Sequence, residues 1–344
     1  MMNSNNNNQN NSQNEINQNA FPMPYDYYAD ESVMPYEATE IPLPPNSKQY
    51  LGLAGIFSSS LGYPTEPIHY ISLTTLRGQT LDFEVCYATF QALKQQQAQL
   101  SLSQAENLWL WVSVESGHEL ENWRLFKSDL PNHLIQSLYE KAQHFETLLN
   151  LLELIQGFKT QVIKDFAQSL LYNENLMASW LSIPASKRHH HSFPGGLMVH
   201  SLEVAQMVKH NLSLIENEIS VQETEVTILA ALLHDIGKTQ TLTIETHTEL
   251  GRLVDHEKLT LLVLAEPLSR LKAKWSKGAI TLQYLITWKT SAGFCKFIGG
   301  EMIKNADQLS TKLSLRRMGF SDKPDYYNYA KVMVGGQSVY LNRI

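Results

Sequence analysis

His189-His190-His191-Ser192-Phe193-Pro194-Gly195-Gly196-Leu197-Met198-Val199-His200 and, further on, Leu232-Leu233-His234-Asp235-Ile236-Gly237-Lys238 decide how this chain is read. Imidazoles and one carboxylate stand where helices begin or end, with apolar helix between them. A first-row divalent ion needs such a set: neutral imidazole nitrogens and carboxylate oxygens, delivered from separate helices so that they converge. Leu197, Val204, Met207 and Val208 share one side of a 3.6-residue period with His200, so His200 points to the core. Val226 to Leu233 read as a second buried helix, with Gly237 as its stop. Adjacent helical residues diverge by about 100°. His234 and Asp235 can therefore share an ion only near a helix terminus, where Gly237 puts them. Buried histidines hydrogen-bonded to backbone are the plain alternative. That alternative suffices for His200 alone, but His200 together with His-Asp-x-Gly-Lys favours metal.

These residues resemble the HD superfamily of metal-dependent phosphohydrolases, whose pattern is a first His, a His-Asp pair and a distant Asp. Pro184-Ala185-Ser186, the three histidines, Gly-Gly-Leu and His-Ser-Leu-Glu-Val-Ala are more specific. They are similar to the catalytic domain of TraI-type conjugative relaxases of the H class, the three-histidine relaxases. A similar block occurs in HD-type 3′–5′ exoribonucleases. The resemblance covers roughly residues 140 to 315. It implies a phosphodiesterase or nuclease that acts on nucleic acid, relaxase-like, from a mobile or conjugative element. His200, His234, Asp235 and Asp307 would then hold a divalent ion (Mn, Mg or Fe), with Asp235 also in the catalytic centre. Asp307 lies on a helix whose Met302, Ile303, Ala306 and Leu309 pack inward, and it matches the distant Asp.

The resemblance also places the histidine triplet in the active site. Imidazoles near a phosphate can donate protons or steady an oxygen, the roles implied for His190 and His191. His189, Arg188 and Lys238 fall on the substrate side, and Lys238 also serves catalysis by neutralising charge. A surface loop is the alternative for the triplet. Two-metal members take a further histidine from the region of Asp255-His256-Glu257, where Asp255 is an N-cap, so His256 is the candidate for a second ion. No histidine follows it, and Tyr284 stands on the next helix, where another ligand is usual. Tyrosine is a poor ligand at neutral pH, so one ion is expected and a complete second site is not. No covalent nucleophile is identifiable.

A length of 344 residues suggests two folded units plus a tail. The fold expected is mainly α: a helical HD domain over 131–318, a small β-rich domain over 48–130, and a C-terminal extension over 319–344. Residues 1–47 comprise a disordered Asn/Gln-rich leader and a Pro/Tyr-rich arm that suits a protein partner. Tyr70–Thr74, Leu81–Val85, Leu108–Val114 and Trp123–Phe126 read as strands, with Arg77-Gly78-Gln79 as a turn and Ala88–Ala98 as a helix. This is either a barrel of oligonucleotide-binding type or another α+β module. Trp109 and Trp111 share a face, as core or, in the minority reading, as a stacking platform. Residues 132–180 are helical, with a break near Asn173. Thr239–Glu245 and Gly251–Val254 alternate like a hairpin with His247 at its tip. Lys331–Val334 suit a strand.

The net charge is −7, of which residues 1–50 supply −5. From Lys289 onward nine basic residues face four acidic ones, a minor argument for single-stranded nucleic acid as partner. No apolar run approaches the roughly eighteen residues of a membrane span, and no secretory leader is evident, so cytoplasmic is the default. Cys86 and Cys295 read as small core residues. Two other classes stay open: an HD nucleotide phosphohydrolase, and a non-catalytic module with a degenerate metal site.

Overall fold

The structure, a computed structural model, describes residues 48–55, 57–61, 67–101, 107–114, 120–187, 190–288, 293–334 and 336–344. The leader and arm expected over 1–47, and Arg188 and His189, lie outside these residues.

The N-terminal part holds strands β1 (Lys48–Ala54), β2 (Ser58–Leu61), β3 (Pro67–Thr74) and β4 (Thr80–Val85), helix α1 (Tyr87–Ser101), and strands β5 (Asn107–Val114) and β6 (Leu120–Ser128). All pairings are antiparallel. β1 pairs with β5 along Lys48–Leu53, and its end pairs with β3. β2 continues along β3, so β1 and β2 act as one bent strand. β4 takes the other edge of β3, and β6 that of β5. The order β4–β3–β1/β2–β5–β6, with α1 inserted after β4, is that of a partly open five-stranded barrel of oligonucleotide-binding type. Ile71, Leu73, Phe83, Val85, Leu110, Val112 and Leu125 fill its interior together with Phe90 and Leu93 of α1.

β5 is a nearly continuous apolar run, as a strand buried on both faces requires. Its second face supplies Trp109 and Trp111, which join Leu51 and Phe126 in the core of the helical part. The Trp111 ring lies 5.7 Å from that of Phe145. The Tyr139 hydroxyl donates to the Gln49 carbonyl at 3.2 Å, and Arg124 donates to Asn150 at 2.8 Å and Glu153 at 2.7 Å. Trp109 and Trp111 are therefore core, and neither offers a face for stacking bases.

The helical part runs through α2 (Asn132–Lys141), α3 (Phe145–Gln156), α4 (Gln161–Leu171), α5 (Glu174–Ser182), α6 (Gly196–Ser213), α7 (Val221–Leu233), α8 (Lys238–Thr241), α9 (His256–Val263), α10 (Ala265–Lys274), α11 (Ser276–Thr287) and α12 (Ile298–Phe320). Asn173 marks the break between α4 and α5 and caps α5, accepting from the Leu176 amide at 3.1 Å. Glu225 on α7 reaches across to accept from the amides of Lys159 and Thr160, so a buried carboxylate faces the start of α4. After α12 the chain closes with a hairpin of β7 (Tyr329–Val334) and β8 (Gln337–Asn342). Among the described residues no helix is long and apolar enough to cross a membrane.

Four expectations are corrected. No hairpin forms over 239–254: α8 and a 3-10 turn at Leu250–Arg252 flank a single bridge between Leu242 and His247, and His247 is exposed on that bridge. Thr243 Oγ1 accepts from the amides of Glu245 and Thr246, a local turn that competes with strand pairing. Cys86 is exposed at the start of α1, whereas Cys295 is buried. Leu309 is exposed, because the inward face of α12 here runs through Ile303, Ala306 and Ser310.

Gly237, finally, is not a left-handed stop. Its φ is −61°, and the chain makes a tight turn and resumes as α8. A glycine is needed there because a Cβ would fall on the His256 carbonyl. Gly237→Ala is accordingly expected to push α9 away, costing about 1–3 kcal/mol. Urea unfolding together with the NMR shifts of the His256 ring would register the displacement.

Candidate metal centre

α6 carries His200 into the core with no exposed surface. His234 ends α7 at its C-cap, Asp235 follows in the turn, and Lys238 opens α8. α12 contributes Asp307 and α9 contributes His256, so five chain segments meet at one point. His200 Nε2 lies 3.2 Å from Asp307 Oδ1 and 3.4 Å from Asp235 Oδ2. His234 Nε2 lies 3.4 Å from Asp235 Oδ2 and 3.8 Å from Asp307 Oδ1. His256 Nε2 reaches Asp235 Oδ1 at 3.2 Å, and Lys238 Nζ reaches Asp235 Oδ2 at 2.9 Å. The Asp307 side chain is 42% exposed and forms the mouth of the cluster.

Hydrogen bonds at the far nitrogens settle which ring nitrogens face the cluster. His234 Nδ1 lies 2.7 Å from the Ala231 carbonyl, which can only accept, so Nδ1 carries a hydrogen. His200 Nδ1 lies 3.0 Å from Ser310 Oγ, and that hydroxyl donates to Glu203 Oε2 at 2.6 Å. Ser310 therefore accepts from His200, and Nδ1 again holds the hydrogen. Both Nε2 atoms are buried and make no hydrogen bond. His200, His234 and Asp307 each offer one ligand atom, all within 4.8 Å of one another. Orphaned imidazole nitrogens beside carboxylates, with the far nitrogens anchored, fit a divalent ion.

Charge points the same way. Burial alone would depress the His234 imidazole, but Asp235 and Asp307 beside it lift it to about 10. Burial would raise the Asp235 carboxyl, yet Lys238 and His234 hold it well below the usual carboxylate range. Asp307 is likewise held far below that range by His200 and His234, against the opposing effect of burial. The buried Asp235 carboxylate, with Asp307 at the mouth beside it, thus calls for cationic charge, and in this form the His234 proton supplies part of it.

The triplet divides. Gly195, at φ 76°, and Gly196 let the triplet loop lie directly on the first turn of α6, since a Cβ on Gly196 would overlap the His191 carbonyl. His190 and His191 both turn inward, their rings 5.3 and 5.2 Å from that of His200. His190 is held neutral at neutral pH, first by burial and then by Lys238 and His200. His191 adopts φ 48°, a left-handed backbone that costs a non-glycine residue about 1–2 kcal/mol. This twist turns its ring, 2% exposed, so that Nε2 lies 3.2 Å from Glu203 Oε2. His191 thus sets one ring nitrogen against Glu203, beside the His200 ring. Tyr284 is also elsewhere: its hydroxyl accepts from the Lys296 amide at 2.9 Å and serves the loop around Cys295.

Sequence reasoning missed the group behind His200. Glu203 takes hydrogen bonds from Ser310 and from Arg317, the latter at 2.9 Å, and Ser314 accepts from the His191 amide at 3.0 Å. The available signal was helical spacing: Glu203 stands one turn after His200, and Ser310 one turn after Asp307. Burial would raise the Glu203 carboxyl, but His191, Ser310 and Arg317 bring it from an ordinary 4.5 down to about 2. A depressed carboxylate stabilises the fold above its unfolded value, and that contribution is lost as pH falls through the folded value. His191, lowered by burial against the pull of Glu203, must charge on acidification and works in the same direction. Glu203→Gln is therefore expected to be less stable at pH 7 by roughly 2 kcal/mol, with a flatter decline between pH 4.5 and 2. Urea titrations across that window check it.

Comparison with known families agrees with this geometry. Residues 197–310 match the HD domain, and residues 140–251 match TraI_2, a family described as "Putative helicase". Gly237-Lys238-Thr239 does not make a nucleotide-binding P-loop, because Leu232 stands where that motif needs its first glycine. No curated protein and no solved structure matches the chain. HD domains are for the most part metal-dependent phosphohydrolases. With His200, His234, Asp235 and Asp307 brought to one point inside the matched span, the chain is placed in the HD-domain superfamily, with a TraI-like relationship.

Proposed function

We propose that this chain is a metal-dependent phosphodiesterase acting on nucleic acid, relaxase-like in its relationships, with His200, His234, Asp235 and Asp307 as the ligands of one divalent ion. The observation that carries the reading is the pair of unpartnered Nε2 atoms, each presented by an anchored Nδ1. Imidazole donors favour Mn²⁺ or Fe²⁺ over Mg²⁺. Such an ion supplies a Lewis acid for a phosphoryl oxygen and acidifies water.

The chain's own groups do the rest. Lys238, buried against Asp235, steadies that carboxylate and adds positive charge beside the ion ligands. His190, neutral beside His200, can accept a proton and pass it to a leaving oxygen. Arg188 and His189 precede it in the sequence and would contribute contacts to the substrate. His256, on Asp235 Oδ1, is placed to orient that carboxylate or to join a second ion. The TraI-like match favours a nucleic-acid strand over a free nucleotide. Purified protein loaded with Mn²⁺ is expected to hydrolyse a labelled single-stranded oligonucleotide, and a chelator to abolish the activity. Turnover of nucleoside monophosphates with no cleavage of strands would replace this substrate with the nucleotide one.

A further inference from the structure

The C-terminal hairpin carries side chains that the metal centre does not use. Along β7, Ala330 and Val332 are buried, so Tyr329, Lys331 and Met333 face outward. Tyr340 on β8 stands directly opposite Lys331, and Asn342 opposite Tyr329, so they share that outer face. Tyr329 is 58% exposed, Tyr340 61%, and Tyr326 in the preceding turn 78%. The Tyr326 ring lies 5.4 Å from that of Tyr327, which lies 6.4 Å from that of Tyr329. A file of rings thus runs from the turn onto the sheet, with an ammonium in its midst.

The frame beneath is firm. The Arg343 guanidinium sits 4.5 Å above the Phe320 ring, and Arg343 donates through Nε to the Tyr327 carbonyl at 2.8 Å. Its own amide donates to the Asn328 carbonyl at 2.8 Å, and Arg316 donates to the Asn342 carbonyl. From Lys312 to the end there are six basic residues and two acidic ones, in a chain whose total charge is −7. One of those acids, Asp322, is paired with Lys323 at 2.7 Å. Exposed aromatic rings around Lys331, in a segment with more basic than acidic residues, match a polyanion that also offers flat π faces. Bases in a duplex are stacked on one another, so the ligand must be single-stranded.

We propose that the outer face of the β7–β8 hairpin binds single-stranded nucleic acid, with bases on Tyr329 and Tyr340 and a phosphate at Lys331. This deepens the nucleic-acid reading above and rests on it for the supply of a strand. The placement suits that role. β7 packs on α12 at Gly319, and Asp307 lies on the same helix about 18 Å away along its axis. A strand held on the hairpin is thus kept within a few nucleotides of the ion ligands.

The test uses the full chain without added metal ion, so that no strand is cut, and short fluorescein-labelled oligothymidylate and oligouridylate in fluorescence anisotropy. Wild type is expected to bind, and the two oligonucleotides show whether DNA or RNA is preferred. Tyr329→Ala/Tyr340→Ala is expected to weaken binding by about 30-fold, while Tyr329→Phe/Tyr340→Phe keeps it. Lys331→Ala is expected to reduce the slope of log affinity against log salt by about 0.7. Hydrolysis of bis(p-nitrophenyl) phosphate with Mn²⁺ reports the catalytic reading separately, and the Tyr→Ala pair should retain it. Lack of that hydrolysis with binding intact removes the enzyme reading and leaves the surface standing. Absent binding, equal affinity in wild type and the Tyr→Ala pair, or a wild-type dimer that the pair converts to monomer, would overturn the proposal.

Discussion

Asp235→Ala is expected to abolish Mn²⁺ binding and hydrolysis together and to lower stability by about 3 kcal/mol. The carboxylate is the hub of the cluster: His200, His234, Lys238 and His256 all lie within 3.4 Å of its oxygens. Its removal takes away an ion ligand and also the negative charge facing a buried ammonium. The two consequences separate in Asp235→Ala/Lys238→Met, where the buried cation is gone as well. That double variant is expected to recover most of the lost stability and none of the metal binding. Urea unfolding and calorimetric titration with Mn²⁺ would show both. A single variant that still binds Mn²⁺ with wild-type affinity would sink the ligand assignment.

Ser310→Ala is expected to weaken Mn²⁺ binding by about 10- to 100-fold while leaving the fold nearly intact. Ser310 touches no ion in this assignment. It receives the His200 Nδ1 hydrogen and passes its own to Glu203, so it selects the tautomer that leaves Nε2 bare. Without it His200 can hydrogenate either nitrogen, and the ring loses its anchor. The expected signature is a changed Nδ1/Nε2 pattern in ¹⁵N spectra of His200 alongside the weaker affinity. Unchanged spectra with unchanged affinity would reduce the Ser310 and Glu203 contacts to packing.

The parts of this site that showed in the sequence are those whose chemistry is unusual where they stand. A histidine on an apolar helical face is ordinary by itself, but combined with a His-Asp pair at a helix end it has few structural uses, so His200, His234 and Asp235 were legible together. Asp307 needed the family pattern, because an aspartate on a helix has many ordinary reasons to be there. Glu203, Ser310 and Arg317 were not legible: the contacts that join α6 to α12 span more than a hundred positions, and their types are common on any surface. The direction of His191 depends on one left-handed backbone angle that no pattern announces. In the sheet, β3 to β6 stood out by alternation or by continuous apolarity. β1 and β2 escaped, since Lys48-Gln49-Tyr50-Leu51-Gly52 has few apolar residues and β2 is mostly serine. Their pairing is set by neighbours, and their own composition carries little of it.

Sheet and helices meet through Trp109, Trp111, Leu51 and Phe126, which belong to one core with Phe145 and its neighbours. Anyone trimming the chain to its helices alone would strip the cover from this oily seam. The excised piece would be sticky in water, and the candidate metal centre would rest on a scaffold missing one wall. The barrel is thus a buttress for that centre, whatever else it touches.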